Sequence, residues 1–159
     1  MRLSIAAVAS LLLVSACDSG GADTAPTVEP AEPAPKLAGV DLTRPVRLVG
    51  TEPFWGIELT GSEVVYSGLD RPEQRGPQSK PVVQGTVATL ATETAAGTGI
   101  EITLTATECS DGMSDRTYPL TALVKVGEET LMGCGASSAA FAAAGESGPV
   151  VEQPAAPAA

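Results

Sequence analysis

The sequence predicts an all-β fold, a small antiparallel β-barrel or sandwich of about 6–8 strands with a disordered N-terminal tether and C-terminal tail. Short runs of alternating apolar and polar residues recur at near-regular spacing between turn-forming residues, and no long helical period interrupts them. The cleanest run is residues 99–107, in which Ile100, Ile102 and Leu104 face one way while the intervening polar residues face the other.

The first 40 residues have the composition of an export signal followed by a tether. Arg2 precedes an apolar run that ends in small residues, and this run is too short for a membrane span, so residues 1–16 are predicted to be a signal peptide. Residues 17–40 contain many prolines and alanines and few large apolar residues. Such a segment buries too little apolar surface to offset the entropy of ordering, so we predict a linker.

The junction Val14-Ser15-Ala16-Cys17 resembles the lipobox of bacterial lipoproteins, in which the signal is cut before the cysteine and that cysteine is lipidated. The resemblance implies acyl chains such as palmitate on Cys17. Because each buried methylene contributes about 0.8 kcal/mol, several chains would attach the protein to a membrane without spanning it. The expected location is the bacterial cell envelope, with the domain in the periplasm and the choice of inner or outer membrane open.

Residues 41–135 carry nearly all of the strand-like pattern and are assigned to the β domain. Residues 44–49 are predicted to be an edge strand, because Pro45 lacks a backbone donor. A hairpin over residues 57–66 follows it. Residues 67–81 contain three prolines and two glycines, and we predict a long polar loop that is mobile or functional.

Further strands are predicted over residues 82–90, with a bend at Gly85, and over residues 117–126 and 130–134. Residues 136–159 are rich in alanine and proline. Two turns of helix could form at their start, but a helix so short is marginal alone. We therefore predict a disordered C-terminal tail.

The chain has three cysteines, no histidine and a net charge of -10. Cys109 and Cys134 lie inside the domain and are predicted to form a disulfide, which suits an exported protein. Closing a loop of this size contributes about 3–4 kcal/mol in the chain-entropy model. The acidic balance repels phosphate backbones, so nucleic acid is not an expected partner.

Polar, charged and turn-forming residues are concentrated in residues 109–119, which read Cys-Ser-Asp-Gly-Met-Ser-Asp-Arg-Thr-Tyr-Pro. Four interpretations stay open: a structural loop, a partner-binding loop, a calcium site on Asp111 and Asp115, or a pair of acids for glycoside hydrolysis. The fork of Arg116 could hold either carboxylate. The candidate binding residues are Asp111, Ser114, Asp115, Arg116, Tyr118, Glu52 and Trp55.

Glu52 and Trp55, from the earlier segment 50–56, are included in the candidate site as residues that could join the loop. Phe54 and Trp55 are expected to pack in the core, because a domain with so few aromatic residues usually buries them. Glu52 is expected to cap a turn or to pair with an arginine such as Arg116.

Enzyme mechanisms find little support in this sequence. Without histidine there is no Ser-His-Asp or Cys-His arrangement and no HExxH zinc site, and no GxSxG, SxxK or phosphate-loop motif is present. We predict a protein that is not an enzyme and has no catalytic residues, metal or cofactor.

Residues 50–55 (Gly-Thr-Glu-Pro-Phe-Trp), the 109–119 motif and the pair Gly133-Cys134 together resemble a family of bacterial envelope lipoproteins described mainly as predicted lipoproteins or membrane proteins. Domains of that family look like neighbours of META-type domains and of inhibitors of c-type lysozyme. The resemblance implies an envelope setting and brings no catalytic residues.

The expected function is a lipid-anchored, non-enzymatic binding or structural module whose partner is an envelope protein or glycan. Two alternatives remain: an inhibitor of a cationic lysozyme-like hydrolase, and a carboxylate-dependent glycan hydrolase. The oligomeric state is left open.

Overall fold

The computed structural model describes residues 34–152. The predicted signal peptide, Cys17 and most of the predicted linker lie outside the described residues, as do residues 153–159. The described elements are β1 (Lys36–Leu37), β2 (Val40–Asp41), β3 (Val46–Thr51), β4 (Phe54–Leu59), β5 (Glu63–Gly68), β6 (Arg71–Pro77), β7 (Val82–Gln84), β8 (Val87–Glu93), β9 (Gly99–Thr105), β10 (Cys109–Ser110), β11 (Asp115–Tyr118), β12 (Leu120–Val126), β13 (Glu129–Ser137), α1 (Ser138–Ala143) and β14 (Ser147–Pro149).

The fold is all-β, as the alternating pattern predicted. Nine strands form one antiparallel sheet in the order β6-β5-β4-β3-β13-β12-β9-β8-β7, and this sheet curls into a half-barrel. The inner face is apolar because every second residue of each strand points inward. Leu48, Ile57, Ile102 and Val124 are examples, and all are almost completely buried. Burying such a side chain contributes about 1.5–3 kcal/mol, so this core is the main source of stability.

The two ends of the curled sheet approach each other through β6 and β8. The Ala95 amide donates to the Arg75 carbonyl at 3.1 Å, and the Thr92 hydroxyl donates to the Pro77 carbonyl at 2.7 Å. Because β6 occupies residues 71–77, the prediction of a polar loop over residues 67–81 was wrong for its central part. A strand with two prolines is tolerated here because β6 is at the edge of the sheet, where missing backbone donors break no ladder.

Two other strand predictions need correction. β3 is an interior strand between β4 and β13, not an edge strand. Pro45 lies just before β3, and its carbonyl accepts a hydrogen bond from the Ser138 amide at 2.9 Å. The run 82–90 is two strands rather than one, because Gly85, at φ +59°, sits in the turn of a hairpin.

A smaller layer covers the outer face of β13 and β3. It consists of α1 and of a three-stranded sheet in the order β10-β11-β14, in which β14 runs parallel to β11. The domain boundary predicted at residue 135 is too early. Ala140 and Val150 are buried against Tyr118, Cys134 and Ala136, and this packing orders a segment that would be marginal alone.

The N-terminal boundary also moves. The hairpin of β1 and β2 lies almost entirely within the span predicted to be linker. Its residues Leu37 and Val40, and Leu42 just after it, belong to the inner core.

Candidate functional site

The 109–119 motif forms β10, a tight turn and β11 on the outer face of the half-barrel. The predicted disulfide between Cys109 and Cys134 is present, with the two Cα atoms 5.5 Å apart. It fastens the start of the motif to β13. The Asp-Gly turn signal is also confirmed, because Gly112 has φ +71°, a conformation that glycine adopts without steric cost.

Asp111 is the centre of this loop. One carboxylate oxygen, Oδ1, accepts from the amides of Met113 at 3.0 Å and Ser114 at 2.8 Å. The other oxygen, Oδ2, accepts from the hydroxyls of Ser114 at 2.7 Å and Tyr118 at 3.0 Å. The Asp111 carbonyl accepts from the Thr51 hydroxyl at 2.9 Å, which ties the loop to β3. The carboxylate is thus satisfied by its own loop.

These contacts set the ionisation of Asp111. Desolvation by itself would raise its pKa, but the hydrogen bonds from Ser114, Met113 and Tyr118 together outweigh that effect and lower the pKa below the usual value of 3.8. Each of these donors stabilises the charged form. The side chain is therefore ionised at neutral pH and is a poor proton donor.

The other candidate residues of the loop do not join Asp111 in a charged network. Arg116 donates through Nε to the Gly145 carbonyl at 2.7 Å, and within residues 34–152 it forms no ion pair with Asp111 or Asp115. Asp115 is exposed, and no hydrogen bond to its side chain is found in this part of the chain. Glu52 is exposed in the turn before β4, and the expected pairing with Arg116 was wrong.

Phe54 and Trp55 are separated by the alternation of β4. Trp55 points into the inner core and is 5% exposed, as predicted, whereas Phe54 points outward and is 50% exposed, so the core prediction was wrong for it. The indole lies against two glycines. A Cβ on Gly50 would be 2.0 Å from the indole Nε1, and a Cβ on Gly133 would be 2.7 Å from its Cζ2.

An open groove of about 700 Å³ lies beside the Asp111 loop, between the outer face of β3–β5 and the layer of α1 and β11. Its apolar rim includes Phe54 and Leu69, which are exposed and adjacent because the Leu69 amide donates to the Phe54 carbonyl at 3.0 Å. Its charged lining residues are Arg47, Arg116, Glu58 and Asp111.

Aromatic stacking positions one of the groove's two cations, Arg47. The guanidinium carbon of Arg47 lies 5.6 Å from the centre of the Phe141 ring, within the range of a cation–π interaction. The Phe141 ring in turn lies 5.2 Å from the Tyr118 ring. The sequence-based search missed Arg47, Leu69 and Phe141. Arg47 could have been found from the β3 alternation, whereas Phe141 lay in the span predicted to be tail.

A second, smaller cleft of about 410 Å³ shares Gly50, Thr51 and Asp111 with the lining of the groove. Met113 and Met132 line it and are largely exposed.

Within residues 34–152, no cluster of three or more histidine, cysteine, aspartate or glutamate side chains is arranged to hold a metal ion. Over the same residues, none of the helices has both the length and the apolar character needed to cross a membrane. No family model, no curated protein and no solved structure shows a significant match to this chain.

Proposed function

We propose that this protein is a lipid-anchored cell-envelope lipoprotein whose domain is a non-enzymatic binding module in the periplasm. In this proposal the anchor is an acyl group on Cys17. The resemblance of residues 50–55 and 109–119 to motifs of envelope lipoproteins supports the location. The binding surface is the 700 Å³ groove, and the 109–119 loop forms one wall of it. The observation that supports this assignment is the groove lining, which combines exposed apolar residues with arginines that have no carboxylate partner within residues 34–152.

The loop itself is the structural part of the site. Asp111 uses both of its carboxylate oxygens on donors of the same loop, so it has no strong acceptor left for a ligand. The disulfide and the Thr51 contact fix the loop before its turn, and the pairing of β11 with β14 holds it after the turn. A rigid wall beside an open groove reduces the ordering that a ligand must impose on binding.

The same geometry bears on the two alternatives. A glycan hydrolase would need one carboxyl group to be protonated as a general acid, and the lowered pKa of Asp111 opposes this role. A cationic hydrolase would meet Arg47 and Arg116 in the groove, where like charges repel. The charges and the ionisation of the groove residues therefore favour neither the glycan hydrolase nor the inhibitor of a cationic hydrolase.

Two experiments test the proposal in cells. Metabolic labelling with palmitate should label the protein and should fail for Cys17→Ser, and membrane attachment should be lost with the label. A photo-crosslinking residue at Leu69 on the groove rim should capture a partner. The same crosslinking residue at Val82 should capture no partner. Val82 is similarly exposed, at 54% compared with 64% for Leu69, but does not line the groove. Equal capture at both positions would contradict the assignment of the groove.

A further inference from the structure

The groove's charges point to the chemistry of its ligand. Residues 34–152 contain eight lysines and arginines, of which Arg71, Arg75 and Lys125 form ion pairs with glutamates. Of the remaining five, two line this one groove, Arg47 and Arg116. In an acidic protein, two arginines without an ion-pair partner line the same depression, and their donors can contact an anionic ligand although Glu58 and Asp111 also line it.

The two arginines also keep hydrogen-bond donors available. The Arg47 guanidinium stacks on Phe141, and this side chain makes no hydrogen bond within the described part of the chain. Arg116 uses only Nε, for the Gly145 carbonyl, which leaves the four N–H groups of its two Nη atoms. Stacking and the Gly145 contact restrict both side chains. The entropy lost when they grip a ligand is correspondingly small.

The two carboxylates of the groove are held by hydrogen bonds within the protein and not by its arginines. Glu58 lies directly opposite Arg47 across β3 and β4, yet it accepts from the Ser138 hydroxyl and forms no ion pair with Arg47. Asp111 is enclosed by its own loop donors. Both carboxylates stay charged, because their hydrogen bonds come from neutral donors, but neither forms an ion pair with Arg47 or Arg116 within residues 34–152, so the guanidinium N–H groups stay available to a ligand.

We propose that the groove binds a peptide segment that carries carboxylate and apolar side chains, with the carboxylates on Arg47 and Arg116 and the apolar groups on Phe54 and Leu69. This inference rests on the proposed binding function and names its ligand class. Arginine forks bind carboxylates through paired hydrogen bonds. The volume is in the range of about 300–1,000 Å³ that is typical of ligand sites.

A peptide fits this geometry better than a lipid or a sugar. An acyl chain in an open groove would stay partly hydrated, whereas ligand sites usually bury about 70–90% of the surface of their ligand. An acidic sugar would use the arginines but would leave Phe54 and Leu69 without apolar partners.

The test uses the purified full-length protein with its disulfide formed, in non-ionic detergent, and titration calorimetry. The probes are N-acetyl-Glu-Leu-Glu-Phe-amide, the same peptide with glutamine in place of glutamate, and tetragalacturonate as an acidic sugar. The acidic peptide should bind about tenfold more tightly than the glutamine peptide, since one charge-assisted hydrogen bond is worth about that factor. Binding should weaken as salt is raised from about 0.05 M to 0.5 M.

The variants identify the site. Arg47→Gln should weaken binding of the acidic peptide about tenfold. Lys80→Gln, which removes the same charge from an exposed lysine that does not line the groove, should change it by less than about twofold. Arg116→Gln is expected to act like Arg47→Gln, but it also removes the Gly145 contact, so its melting temperature is measured too. Arg47→Gln breaks no hydrogen bond and keeps the test decisive if Arg116→Gln unfolds.

Three outcomes would overturn the inference. These are equal affinity for the acidic and glutamine peptides, an equal loss in Arg47→Gln and Lys80→Gln, and tighter binding of tetragalacturonate than of the acidic peptide. If the peptides do not bind while Leu69 still captures a partner in cells, the ligand class is wrong and the binding function stands. If Leu69 and Val82 capture alike, the binding function itself is wrong.

Discussion

Replacing Asp111 tests whether the conspicuous loop is structural. Asp111→Ala removes the acceptor of four hydrogen bonds, two from backbone amides and two from hydroxyls. A hydrogen bond to a charged group contributes about 1.5–3 kcal/mol, but the Met113 and Ser114 donors lie near the surface and regain water. Tyr118 is 3% exposed, and its hydroxyl loses its partner. We expect a net loss of about 2–4 kcal/mol.

For a domain of this size about 4 °C of melting temperature corresponds to 1 kcal/mol, so Asp111→Ala should melt about 8–16 °C below the wild type. Thermal unfolding of the oxidised full-length protein, followed by circular dichroism, measures this. Asp115→Ala is the matched control, because it removes the same charge from an exposed side chain for which no hydrogen bond is found in the described residues, and it should shift melting by less than about 2 °C.

A double-mutant cycle isolates the contact between Asp111 and Tyr118. Tyr118→Phe removes only the hydroxyl and should cost about 1 kcal/mol, and the double variant should show a coupling energy of about 1 kcal/mol. Equal melting temperatures for Asp111→Ala and Asp115→Ala would refute the structural role. If Asp111→Ala lost partner capture at unchanged stability, the binding interpretation of the loop would replace it.

Three further predictions concern acid, the tryptophan and the C-terminal layer. Because the pKa of Asp111 is lowered in the folded state, its contribution to stability is present above the unfolded pKa of about 3.9 and is lost as the pH falls through the folded pKa. Melting curves from pH 7 to 2.5 should therefore fall less steeply for Asp111→Asn than for the wild type, and identical slopes would count against this. Gly50→Ala should cost about 3 kcal/mol in urea unfolding and shift Trp55 fluorescence, because its Cβ would overlap the indole, whereas Gly99→Ala, with open space around it, should retain the wild-type fluorescence. Truncation after Ser137 removes α1 and β14 and should cost about 3 kcal/mol or more by exposing the second core, so an unchanged urea midpoint would show that this layer does not stabilise the domain.

The elements that were predicted correctly are those whose pattern reflects burial on one face. β9 is the best case, because the inward Ile100, Ile102 and Leu104 alternate with outward polar residues and no neighbouring segment alters that pattern. The disulfide was predicted from the number and positions of the cysteines in a chain that we expect to be exported, and it is present. These features depend on local sequence and on compartment.

The features that were missed depend on contacts between distant segments. Val150 is buried because β14 pairs with β11, and nothing in the alanine-rich sequence around it predicts that pairing. β6 contains two prolines, a composition that favours a loop in the sequence, but an edge strand tolerates proline because its outer backbone donors need no ladder partner. Phe54 and Trp55 were assigned together to the core, yet adjacent residues of a strand face opposite sides.

The candidate site shows the same division. The loop was predicted to be a site because its residues are polar and charged. In the structure, however, the Asp111 carboxylate accepts four hydrogen bonds from donors of its own loop. Arg47 was not predicted as a site residue, because a single arginine on a strand has no distinctive sequence pattern. Its stacking partner, Phe141, lies 94 positions later in the chain, so this contact is not visible in the local sequence. A polar residue such as Asp111, whose hydrogen-bond partners all lie in its own loop, stabilises the fold. Arg47 is positioned by stacking and has no carboxylate partner within residues 34–152, so its donors remain available, and for that reason we propose that the ligand contacts Arg47 and Arg116 in the groove and not the carboxylate of Asp111.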